Sequence, residues 1–85
     1  MLFRSMSEKI LAAPVDDFAR RLWAMIDDEL FAVMELLEKA SENPQQRDLD
    51  DVLARIALTE SEIEKRYPGM LLLPYREWKQ RRTAF

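Results

Sequence analysis

The chain has 85 residues with 13 basic and 16 acidic side chains, a net charge of −3, one Gly, four Pro, no His and no Cys, and 48% of it is hydrophobic. That balance belongs to a single small folded domain rather than a disordered chain. The missing Cys excludes disulfides, thiol nucleophiles and thiolate metal sites, and the missing His removes the commonest general base and metal ligand.

Residues 1–13 read as a short N-terminal arm. A secretory signal needs an uninterrupted apolar stretch, and here Glu8 and Lys9 interrupt it. The longest apolar runs, residues 22–26 and 30–34, hold five residues each, far short of the ~20 that cross a bilayer. A cytoplasmic protein with no membrane contact is expected.

From Pro14 to Ser41, apolar residues recur with helical period at Val15, Phe18, Leu22, Met25, Ile26, Leu30, Val33, Leu37 and Ala40. Pro14 suits the first helical position, and Asp16 and Asp17 complement the positive helix end. The spacing predicts one long helix over residues 14–41, roughly 40 Å in length. Asn43 and Pro44 end it, giving a turn at 42–47.

Asp48, with Asp51 three positions later, reads as an N-cap for a second stripe through Leu49, Val52, Leu53, Ile56, Ile63 and Tyr67. This segment, residues 48–66, is expected to be one helix, with a break near Leu58 as the alternative because Thr59 and Glu62 form a T-x-x-E capping box. Residues 70–73 then form an apolar strap before Pro74, and residues 75–85 a short basic helix or tail. The expected fold class is all-α: an antiparallel helical hairpin with arm, strap and tail, dimerising into a four-helix arrangement.

Apolar excess points to a partner surface. At 100° per residue the core set of the long helix covers about 140°, and Trp23 and Met34 widen it to roughly 180°, more than one partner helix covers. Phe31 lies further round, among the acidic residues. Trp23, Leu30, Phe31, Met34 and Trp78 are therefore candidate interface residues, as expected for aromatics and Met. Trp23, Phe31 and Met34 could instead pack against the arm or the strap. Area scaling also favours a self-partner or a larger one, since a chain of this mass buries only roughly 9,300 Å² on folding.

Asp28, Glu35, Glu38 and Glu42 share one side of the long helix as a negative ridge some 20 Å long. Residues 1–69 carry nine basic and fifteen acidic groups, a balance of −6, whereas residues 70–85 carry Arg76, Lys79, Arg81 and Arg82 against Glu77, a balance of +3. Such a tail, with Tyr75, Trp78 and Phe85 interleaved, could grip phosphates, enter a partner's groove, or fold back along the acidic ridge with Trp78 closing the core.

Residues 52–63, VLARIALTESEI, resemble the core pattern of a helix-turn-helix, with Ala57, Leu58 and Thr59 at the turn and Ile56 and Ile63 buried. The resemblance covers a dozen residues without the usual Gly, and Glu60, Glu62 and Glu64 would face the phosphates of DNA. It implies a small nucleic-acid-associated transcriptional regulator as the alternative function. No catalytic residue, cofactor or metal is expected. Gly69 cannot by itself make a phosphate cradle, and no loop carries the ligand spacing of a calcium site. The favoured reading is a non-catalytic protein–protein interaction module, whether adaptor, accessory subunit or inhibitor.

Overall fold

The computed structural model describes residues 12–83, without the side chain of Thr83, and these form four helices and no strand: α1 (Val15–Ala24), α2 (Asp27–Glu42), α3 (Leu49–Arg66) and α4 (Leu73–Thr83). The expected arm lies almost wholly outside the described residues, as does Phe85. Pro14 stands one position before α1 in an extended conformation, and its carbonyl accepts the Phe18 N–H at 2.8 Å.

The single helix expected over 14–41 is two. Met25 and Ile26 are both extended, with ψ of 146° and 164°, and they turn the chain through a corner that no Pro or Gly makes. Length explains the break. An 18-residue α3 is ~27 Å long, so a straight ~40 Å partner would overhang it. Folding the overhang back lets α3 cover both halves, and the longest dimension of the molecule is 30 Å.

The corner leaves helix-end groups that need partners, and side chains provide them. Glu29 reaches back to accept the Ile26 N–H at 3.1 Å, which is half of a capping box, since Ile26 offers no acceptor in return. Arg66, at the far end of α3, donates to the Leu22 carbonyl at 3.0 Å. A cation on the negative end of α1 is favourable for its dipole as well. Met25 turns into the core while Ile26 faces outward.

α3 is continuous, so the turn that a helix-turn-helix needs at Ala57, Leu58 and Thr59 is absent. Thr59 does not cap. Its buried hydroxyl donates to the Arg55 carbonyl at 2.8 Å, four residues back in the same helix, a bond available to Thr inside a helix. Asp48 is the cap position but makes no side-chain capping bond, and Asp51 takes the Arg55 Nε at 2.8 Å instead.

Phe18 of α1 meets Arg55 in the middle of α3, and Leu22 meets Arg66 at its end, so α1 and α3 run in the same direction. Asp27 at the start of α2 meets Arg66 at 2.9 Å, and Leu37 and Ala40 share a recess with Val52 and Arg55, so α2 runs the opposite way. The buried core joins Phe18 and Leu22 to Leu30, Phe31, Val33, Met34 and Leu37, with Ile63 beneath them and Tyr75 at the edge.

After α3 the chain turns through Gly69 (φ 80°) and Leu71 (φ 54°). Gly adopts positive φ freely, whereas a leucine there is strained. Pro74, expected to lie before the last helix, sits inside its first turn, where its missing N–H costs no hydrogen bond.

Candidate functional site

The last helix folds back onto the acidic ridge of α2. Trp78 donates its indole N–H to Asp28 at 3.1 Å, Tyr75 donates its hydroxyl to Glu38 at 2.5 Å, Lys79 lies 3.5 Å from Glu38, and Arg82 pairs with Glu35. Phe31 sits at the centre, with its ring 6.0 Å from Tyr75 and 5.9 Å from Trp78. Arg82 also covers the Trp78 ring at 4.8 Å, a cation–π contact. The residue that looked stranded among carboxylates is thus the socket for α4.

This placement corrects the expected interface. Leu30, Phe31 and Met34 are buried within the chain itself, because α3 and α4 together cover the wide arc that one helix would have left open. Trp78 is half-buried against Phe31. Trp23 alone of the five stays on the surface, 73% exposed, next to Ile26 at 65%. Of the four candidate anion contacts, Lys79 and Arg82 face Glu38 and Glu35, while Arg76 and Arg81 lie on the surface.

The outer side of α3 carries two recesses that meet at Ser61. One, of about 200 Å³, lies between α3 and α1 and is lined by Ala19, Leu22, Trp23, Leu58 and Lys65 among others. The other is a groove of about 630 Å³ between α3 and the strap, with Ala57, Glu60, Ser61 and Glu64 of α3 on one side and Leu71, Leu72 and Arg76 on the other. Glu64 also accepts the Gly69 N–H at 2.8 Å, which ties the strap to α3.

Two buried or half-buried arginines organise the polar interior. Arg66 joins three helices: its Nε donates to Glu62 at 2.9 Å, its Nη1 to Asp27 at 2.9 Å and its Nη2 to the Leu22 carbonyl. Asp27 also accepts the Tyr67 hydroxyl. That bond, with Arg66 beside it, holds the Asp27 carboxyl below its usual range against the opposing effect of burial, and the Tyr67 phenol is raised in turn. Burial disfavours the Arg66 cation, but its bonds to Glu62 and Asp27 outweigh that and raise its pKa. Burial, followed by the bond to Glu38, raises the Tyr75 phenol far above the ordinary range. Arg55 is buried with its guanidinium 5.1 Å from the centre of the Phe18 ring. Its Nη1 is the buried side-chain polar atom without a hydrogen-bond partner among the described residues.

Comparison with protein families, curated proteins and solved structures finds no match. Sequence reasoning missed Asp27, Arg55, Arg66 and Tyr67. The four-residue spacing of Glu62 and Arg66 signals a helical pair, but nothing in that spacing announces the reach to Asp27.

Proposed function

We propose that this chain is a non-catalytic protein–protein interaction module, an adaptor, accessory subunit or inhibitor, that engages its partner through Trp23. The observation that carries this reading is the exposure of Trp23, 73% open to solvent at the rim of a recess that Ala19, Leu58 and Ser61 help to form. Tryptophan is strongly enriched among the side chains that dominate binding energy, since it buries a large rigid surface at little entropic cost. Ile26 extends the apolar area at the adjacent corner. The nucleic-acid reading has weaker support, because Lys79 and Arg82 of the basic helix face Glu38 and Glu35 of the same chain.

The test compares proteins captured from nuclease-treated lysate of the source organism by the parent chain and by Trp23→Ala. Trp23 is largely exposed, so the variant should keep its helical circular dichroism. Proteins held by the parent and lost with the variant are the expected result. Identical capture profiles overturn the reading, and capture that vanishes with nuclease favours the nucleic-acid alternative.

A further inference from the structure

We propose that the groove between α3 and the strap is a self-association site whose occupant is a second copy of this chain, paired about a two-fold axis running along the groove. This surface is distinct from the Trp23 rim, which lies across Ser61 on the α1 side of α3.

The charge arrangement selects the occupant. Glu60 and Glu64 stand one turn apart on the α3 wall, and Arg76 stands on the opposite wall. Arg76 makes no ion pair among the described residues, and neither does Glu60. A groove with one acidic and one basic wall is its own complement. Rotation about an axis along the groove sets each acidic wall against the basic wall of the other copy, so every favourable pair forms twice, as an isologous interface requires. A wholly acidic or wholly basic groove would repel its own copy.

Shape agrees with charge. Two facing grooves need something to fill the space between them, and Leu71 supplies it. Its side chain is 74% exposed at the groove's edge, and its positive φ of 54° keeps a strained leucine in the position that presents it. Backbone strain of this kind persists where the surrounding structure or a function holds it. Each Leu71 can enter the other copy's groove over Ala57 and Leu72, giving an apolar centre with a charged rim, the usual anatomy of a stable interface.

The deciding experiment is charge exchange on the full chain, read by sedimentation equilibrium, with native mass spectrometry of one isotopically labelled partner. The parent should associate reversibly. Arg76→Glu makes both walls acidic, and Glu60→Arg, which leaves the Glu64 bond to the strap intact, sets a cation on each wall, so each should weaken self-association at least tenfold. Mixing the two variants should produce heterodimers, because opposite charges then meet across both seams, and combining both substitutions in one chain should restore self-association. Trp23→Ala should leave the dimer unchanged. A parent that is monomeric up to its solubility limit overturns the proposal. So does a dimer that ignores the substitutions, one that the mixture fails to restore, or one that Trp23→Ala abolishes. A monomeric parent, or a dimer indifferent to the charge substitutions, leaves Trp23-dependent capture untouched, so the two proposals fail separately.

Discussion

The Trp78 ring packs 5.9 Å from Phe31 at an interplanar angle of 53°, while its indole N–H donates to Asp28, three residues before Phe31 on the same helix. One side chain thus satisfies an apolar and a polar neighbour of α2 at once, which is how a strongly polar helix comes to be held against the body of the protein.

Removing that side chain should loosen α4. Trp78→Ala is expected to cost about 2–3 kcal/mol in urea unfolding, toward the lower end for a large aromatic because the ring is only half-buried. It should also raise the fluorescence of a dye that binds exposed apolar surface, since Phe31 and Tyr75 become accessible. Trp78→Phe keeps most of the packing and loses the bond to Asp28, so its cost should be about 1 kcal/mol.

Arg66 should be among the least replaceable polar residues. Arg66→Ala leaves the Leu22 carbonyl, Asp27 and Glu62 without their shared donor and is expected to destabilise by about 2–3 kcal/mol. Arg66→Lys should recover less than half of that, because an ammonium cannot reproduce a planar fork directed at three acceptors. Denaturant titration of both variants checks the order.

The acid limb of stability should report Asp27. Its folded pKa lies below the ordinary 3.8, chiefly through the Tyr67 hydroxyl. The stability it contributes is therefore complete above pH 3.8 and is lost as pH falls through the folded value. Asp27→Asn cannot lose that contribution, so the gap in melting temperature between parent and variant should be widest near neutrality and narrow below about pH 4. A gap independent of pH would contradict the assignment.

Tyr75 should control part of the alkaline limb. Its folded pKa is raised from 10.0 by burial and by Glu38, so the protonated phenol contributes stability that is complete below pH 10 and declines above it as the unfolded chain ionises first. Tyr75→Phe should be less stable than the parent at neutral pH by about 1 kcal/mol and should show a flatter decline above pH 10. Thermal melts across that range test both statements.

Leu71→Gly should separate stability from association. Relieving a leucine at positive φ gains about 1–2 kcal/mol, and the added freedom of glycine in the unfolded chain takes back about 0.5–1 kcal/mol. The variant should melt higher than the parent in dilute solution, where no partner contributes, while its self-association weakens.

Much of the architecture was legible in the residues. The apolar stripe of α3 and the Asn43-Pro44 stop were strong local signals, and the opposite charges of residues 1–69 and 70–85 made a fold-back conceivable. The corner at Met25 and Ile26 was not legible, because the helical period runs straight through it. Its local sign is faint: the acidic run Asp27-Asp28-Glu29, of which Glu29 caps Ile26. The interface residues misled for a related reason. An apolar arc says that Leu30, Phe31 and Met34 must be covered, but not whether the cover is another chain or the same one. What decided it was α4, whose own apolar side is weak and whose attachment depends on pairs such as Arg82 with Glu35, distant in sequence and invisible to any pattern within one segment.

The corner carries a further consequence for how the protein is made. Synthesis runs from the N-terminus, so residues 14–41 emerge from the ribosome before Arg66 does. Until it arrives, the Leu22 carbonyl and Asp27 lack the guanidinium that joins them, and the bend has only its local bonds, from the Ile26 N–H to Glu29 and from the Met25 N–H to the Leu22 carbonyl. The nascent segment therefore carries the periodicity of one long helix and the means of bending it come from downstream. The corner has its full set of partners only once the end of α3 can reach back to it.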